Sequence, residues 1–260
     1  MSAEKITSLH EAVILSELAA DAGAIMLANG AEIYRVEDTV ERIIRSKESI
    51  KDVDVFSSFN MIIISFSYKG EIHSNMRRVK SRSNNLHYVD KVNTFSRNFT
   101  KGMYTLDEAL VEIQNIKRAE GTKVPLKVLG ASAAAGAYSV LLGAGIPEIV
   151  SSLFVGFLGY EFYLILEKNK LNYFIVHFLY GIFVSLITII INNFVSVSID
   201  VVIISAMMAF VPGIMITNAV RDLMSGDALS GMTGSMMAIL ISTALALGVA
   251  LPIGLLGLVI

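Results

Sequence analysis

The stretch VPGIMITNAVRDLMSGDALSGM, Val211 to Met232, lies between two long apolar runs and decides how the chain is read. It sets one arginine, two aspartates, an asparagine and three glycines where an apolar run would otherwise continue. Two readings compete: a short cytoplasmic turn with Arg221 and Asp222 in water, or a broken helix whose freed polar groups bind a solute. On an α-helix Asn218, Arg221, Asp222 and Ser225 fall within roughly a third of the circumference. Pro212 cannot donate a backbone hydrogen bond, and Gly213 weakens the helix further. Polar groups freed at such a break are tolerated at membrane depth only where they meet protein or water, a device of transporters with discontinuous helices. Arg221 beside Asn218 suits a carboxylate, and Asp222 or Asp227 suits an ammonium group or a proton.

Outward from this stretch the chain has two physically different halves. It has 260 residues, 54% of them hydrophobic, with a mean hydropathy of +0.63; an ordinary soluble domain has roughly 45 to 50% apolar residues. A membrane protein is therefore expected, and nucleic acid is an improbable partner. Of 21 Lys and Arg, 18 lie at or before Lys127, leaving Lys168, Lys170 and Arg221 beyond it. The absence of cysteine excludes disulfides, thiolate metal sites and cysteine nucleophiles. No secretory signal is read at the start, because Glu4, Glu11, Glu17 and Asp21 interrupt any apolar core there.

Residues 1–122 read as a cytoplasmic α+β domain. Val13, Ile14, Leu18, Ala22, Ile25 and Met26 recur at helical spacing, and Asn29-Gly30 supplies a stop. In a second helix Ile33, Val36, Val40, Ile43 and Ile44 form the apolar stripe, opposite Arg35, Asp38 and Arg42 at ion-pair spacing. Beyond Lys51 the period becomes two, with a turn at Lys69-Gly70, which predicts a small antiparallel sheet. Helix returns over about 86–99, and Thr105 with Glu108 forms a capping box opening a last helix through Lys117.

Residues 123–260 read as a polytopic helical membrane domain. Spans of about 20 apolar residues are expected near 126–144, 148–166, 172–191, 199–217 and 229–258, with Pro252 a candidate break in the last. Lys168 and Lys170 after the second span and Arg221 after the fourth agree with a cytoplasmic N-domain by the positive-inside rule; five spans would put the C-terminus outside. The small-residue run GASAAAG, Gly130 to Gly136, suits close helix packing. Glu161 and His177 lie at similar depth on adjacent spans, about 8 to 9 Å from the cytoplasmic ends at 1.5 Å per residue. Intramembrane ionisable groups suggest function, here a proton relay; the plain alternative is a snorkelling glutamate and a satisfied core histidine.

In the soluble half Glu32, Arg35, Glu37 and Asp38, with His73 and His87, lack a nucleophile elbow, a metal-spaced histidine pair or a phosphate loop. A docking or gating surface is expected there rather than a hydrolytic site, with no metal and no cofactor. The basic cluster Arg77, Arg78, Lys80 and Arg82 suits anionic lipid or simply closes the sheet.

Two stretches, GAEIYRVEDTVERI at 30–43 and PGIMITNAVRDLMSGDALSG at 212–231, resemble the threonine/serine exporter family of bacterial and fungal membrane transporters. Asn85 to Lys117 also looks like the end of that family's soluble domain. The longest members have about ten spans, whereas five are read here, so the chain resembles the split form in which a second, smaller membrane subunit supplies the rest. The resemblance implies export of small polar metabolites across the cytoplasmic membrane, threonine and serine in some members and succinate in a split-type member. Competing classes are a membrane-anchored hydrolase and a ligand sensor acting through the soluble domain.

Overall fold

The computed structural model describes residues 6–80, 83–169 and 171–256. Arg82 of the basic cluster, Lys170 of the loop after the second span and the end of the last expected span lie outside the described residues. The chain divides into two compact units. One comprises Met1–Ala119 together with Ile214–Ser235; the other comprises Glu120–Gly213 and Met236–Ile260.

In the first unit α1 (Leu9–Ala28) starts where the Ser8 side chain accepts the Glu11 N–H. It ends at Asn29, ahead of Gly30 at φ +88°. α2 (Ile33–Arg45) buries Ile33, Val36, Val40, Ile43 and Ile44, the stripe read from the sequence. Its exposed face carries the Asp38–Arg42 and Glu41–Arg45 pairs, both at i,i+4. Strands β1 (Ile50–Ser58), β2 (Met61–Tyr68) and β3 (Glu71–Arg78) form an antiparallel meander in that order. Ile62, Ile64, Phe66 and Tyr68 of β2 alternate into one core with α1 and α2. α3 (Leu86–Thr100) adds Val89, Val92, Phe95 and Phe99 to it. α4 (Leu106–Arg118) opens with the Thr105–Glu108 capping box, both reciprocal bonds being present. Large side chains such as Phe66, at 1% exposure, contribute about 1.5 to 3 kcal/mol each on burial.

The second unit is built from apolar helices. α5 (Val124–Leu141), α6 (Ile146–Lys168) and α7 (Tyr173–Asn192) are followed by α8 (Ile199–Met207), which continues as a 3₁₀ turn, Met208–Phe210. After Pro212 the chain resumes as α9 (Gly213–Met224), which from Ile214 onward belongs to the first unit. α10 (Ala228–Leu255) starts in the first unit and continues in the second; it runs unbroken through Pro252, which falls in its last turn. Among the described residues four helices, α5, α6, α7 and α10, are long and apolar enough to cross a membrane, or five spans exist if α8 and α9 together count as one broken span. Chain order, helix content and the small sheet thus match the expected architecture, a multi-pass membrane protein with an α+β N-terminal part.

Packing in this unit depends on small residues. On α5 Ala135, Gly136 and Ser139 are buried, whereas Leu126, Leu129 and Leu141 are exposed, so one face of the small-residue helix packs. The Ser132 hydroxyl donates to the Leu153 carbonyl of α6 at 2.8 Å. α7 and α10 meet at Gly181 and Gly248: a Cβ on Gly248 would lie 2.3 Å from the Phe178 carbonyl oxygen, and one on Gly181 would lie 2.7 Å from the Leu245 carbonyl oxygen.

Candidate functional site

The opening stretch folds as two helices joined by a tight turn, and its residue pattern explains each step. Gly226 takes φ +89°, its N–H bonds the Leu223 carbonyl at 3.2 Å, and the Asp227 N–H bonds the Asp222 carbonyl at 2.9 Å. This is the Schellman arrangement, which favours glycine at the left-handed position. Asp227 then opens α10, its carboxylate accepting the Ser230 N–H at 3.5 Å. Gly231 lies against α9: a Cβ there would be 2.8 Å from the Ala219 carbonyl oxygen and 2.5 Å from Leu223. Gly226, Asp227 and Gly231 therefore set the α9–α10 corner.

The exposed polar face of α9 is held by the start of α2, and both belong to the first unit. The Asn218 side-chain amide donates to the Gly30 carbonyl at 3.0 Å. One turn later, Arg221 forms an ion pair with Glu32. The Glu32 side chain is 13% exposed and that of Arg221 50%. Glu32 is the N-cap residue of α2, yet its side chain bonds none of that helix's own N–H groups. Thus the two stretches that resemble the exporter family, nearly 200 residues apart, form the two sides of one contact.

Beside this clasp lies a group of carboxylates. The half-buried Glu37 side chain accepts the Ser57 N–H at 2.7 Å. Burial raises the Glu37 carboxyl above its ordinary value, the Ser57 hydrogen bond opposes the shift, and the charges of Asp227, Glu41 and Asp222 add to it. Asp222 is itself buried, at 8% exposure. Of the other residues expected to dock or gate, Asp38 pairs outward with Arg42, and Arg35 sits partly buried in the first turn of α2.

Elsewhere in the first unit, Arg77 pairs with Asp21 of α1 at 3.3 Å, while Arg78 and Lys80 are exposed. The His73 ring lies tilted against Phe66 with centroids 5.5 Å apart, and His87 lies beside Tyr88 at the start of α3. Among the described residues no group of three or more His, Asp or Glu side chains is placed to hold a metal ion.

Pro212, Gly213, Glu161 and His177 belong to the second unit. Val211 is extended at φ −64° and ψ 127°, as a residue before proline prefers, and the α8 helix stops there. Phe210, at the end of the 3₁₀ turn, packs against Tyr163 at 4.6 Å, Tyr180 at 4.2 Å, Tyr160 at 5.7 Å and His177 at 6.3 Å. The Tyr180 hydroxyl donates to the Ala206 carbonyl at 2.8 Å. In a continuing α-helix that carbonyl would take the Phe210 N–H; here it accepts from Tyr180 beside the 3₁₀ turn. His177 is buried, with Nδ1 2.7 Å from the Tyr173 carbonyl oxygen; Glu161 is exposed, and no hydrogen bond or ion pair joins it to His177. The structure therefore brings together Asn218, Arg221 and Glu32, places Glu37, Asp222 and Asp227 beside one another, and leaves Glu161 and His177 apart. Gly30, Phe210 and Tyr180 escape a reading of the sequence. Gly30 acts through its backbone, and the two aromatics look like ordinary apolar helix positions.

In comparison with known proteins, the threonine/serine exporter family model matches residues 17–256, nearly the whole chain. No curated protein and no solved structure matches the chain.

Proposed function

The chain belongs to the threonine/serine exporter family, and from that premise we propose that it is the large subunit of a secondary transporter exporting small polar metabolites across the bacterial cytoplasmic membrane. The substrates are threonine and serine or a dicarboxylate such as succinate. A smaller membrane subunit of the same family completes the transporter, and the chain carries out no catalysis of its own. The N-terminal α+β part lies in the cytoplasm, consistent with Lys168 and Lys170 after the second span and Arg221 at the end of the fourth. α8 and α9 together form the broken fourth of five spans, with Pro212 and Gly213 at the break.

The observation that carries this reading is the clasp of Asn218 and Arg221 on Gly30 and Glu32. It gives the soluble part a direct hold on the polar helix that follows the break, so a docking and gating role for Glu32, Arg35, Glu37 and Asp38 has a mechanical route. Arg221 offers a guanidinium fork, suited to a substrate carboxylate, with more donors than Glu32 alone occupies. Asn218 supplies an amide beside it, and Asp222 or Asp227 serves an ammonium group or carries a proton. Export is coupled to the proton motive force, with Glu161 and His177 as proton carriers.

Efflux of threonine, serine and succinate from cells expressing the chain with its small partner subunit tests this. Arg221→Gln, Arg221→Lys and Asn218→Ala, at matched membrane expression, are expected to weaken apparent affinity about ten- to a hundredfold, since charge-assisted bonds contribute about 1.5 to 3 kcal/mol. Near-normal efflux in all three returns the segment to an ordinary turn. Turnover of an ester or peptide by the chain without solute flux favours a hydrolase instead.

A further inference from the structure

We propose that Arg221 is a carboxylate-binding site already occupied by the chain's own Glu32, so that a carboxylate solute binds by displacing that side chain. The inference rests on the reading of Arg221 as a substrate-binding residue and deepens it: Glu32 becomes the residue that sets how tightly carboxylates are held.

Four features of the contact carry it. First, the pair joins a shielded carboxylate to a half-exposed guanidinium: Glu32 is 13% exposed and Arg221 50%, so a solute reaches Arg221 without dismantling the core. Second, the second bond of the clasp is neutral and independent of Glu32. Asn218 holds the Gly30 carbonyl, and that bond keeps α9 in register when the ion pair opens. Third, Glu32 has somewhere to go. It stands at the N-cap of α2 with no side-chain bond to that helix, and a helix N-terminus favours a carboxylate. Its side chain therefore exchanges between two favourable states, paired with Arg221 or turned onto the start of α2. Fourth, chemistry selects the ligand. The residue displaced is a carboxylate on a guanidinium, so the group that replaces it is a carboxylate able to match the same fork.

A tethered competitor lowers apparent affinity by the fraction of time that Arg221 is free. If Arg221 is free about a tenth of the time, removing the competitor tightens carboxylate binding about tenfold. The chain contains no cysteine, which makes a charge-restoring test clean. Binding of succinate, L-threonine and the uncharged-carboxyl analogue L-threonine amide is measured by titration calorimetry on the full-length chain purified in detergent together with its small partner subunit. Four forms are compared: wild type, Glu32→Gln, Glu32→Cys, and Arg221→Gln. Glu32→Gln and Glu32→Cys are expected to tighten succinate and L-threonine about tenfold and to leave the amide unchanged, and Arg221→Gln to weaken carboxylate binding about ten- to a hundredfold. Labelling the Glu32→Cys variant with a sulfonate-bearing thiosulfonate is expected to return affinity to the wild-type level, whereas a trimethylammonium reagent does not. Because that reversal occurs within one folded protein, it separates charge from any effect on folding. If wild type binds carboxylates through Arg221 but the Glu32 variants bind no tighter, or reagents of either charge act alike, the competitor role is overturned and Arg221 keeps its role. If Arg221→Gln binds carboxylates as wild type does, or no form binds them, the substrate-site reading falls and this inference with it.

Discussion

The core around β2 and the bundle around Gly248 are held together by opposite means. In the first unit large side chains fill the space: Phe66, Phe95, Phe99, Ile62 and Ile64 are all at 2% exposure or less. In the second, helices meet backbone to backbone at Gly181 and Gly248, and hydroxyls reach across to carbonyls, as from Ser132 to Leu153 and from Tyr180 to Ala206. Water explains the contrast. A soluble core is stabilised by removing apolar area from water, whereas in lipid no such gain exists between helices and close packing with satisfied polar groups replaces it.

Exchanging side-chain sizes between the two kinds of packing has the largest expected effect. Phe66→Ala is expected to destabilise the first unit by about 3 to 5 kcal/mol, the range for deleting a buried aromatic ring. Loss of hydrogen-exchange protection in β2 and α1 of the full chain measures it; a change below about 1 kcal/mol would mean that β2 is not the centre of the core. Gly248→Ala adds one methyl group where nothing fits and is expected to cost about 1 to 3 kcal/mol. Gly130→Ala, whose Cβ meets nothing within 4 Å, serves as the neutral control. Equal melting temperatures in detergent for these two variants would remove the backbone contact from the account.

The smallest effect concerns charge. Burial raises the Glu37 carboxyl in the folded state, so the folded state holds the proton more tightly than the unfolded one. The contribution of Glu37 to stability is then fully present below the ordinary carboxylate range and is lost as pH rises through the raised value. Glu37→Gln keeps an acceptor for the Ser57 N–H and is expected to flatten this decline, raising the melting temperature near neutral pH and not at acid pH. A parallel pH profile for wild type and variant would show that Glu37 ionises without cost.

Much of the local structure is legible in the residue pattern of the chain. Period-3.6 stripes placed α1 and α2, and alternation with Lys69-Gly70 placed the hairpin of β2 and β3. The fourth span, expected as one run over 199–217, is interrupted at Val211 and Pro212, whereas the spacing of Thr105 and Glu108 placed the start of α4. These signals are legible because each lies within one or two turns of chain and follows from backbone geometry. The site was legible only in its parts. Arg221 and Asn218 stood out as polar residues in an apolar half, and Glu32 as part of a charged helix face, but nothing in either stretch names the other as its partner. Only the tertiary structure decided that Ile214–Ser235 folds with Met1–Ala119, that a backbone carbonyl at Gly30 receives Asn218, and that Glu161 and His177 do not pair. The physical reason is range: periodicity and capping are fixed by neighbours along the chain, whereas an ion pair between residues 32 and 221 depends on how the elements between them pack.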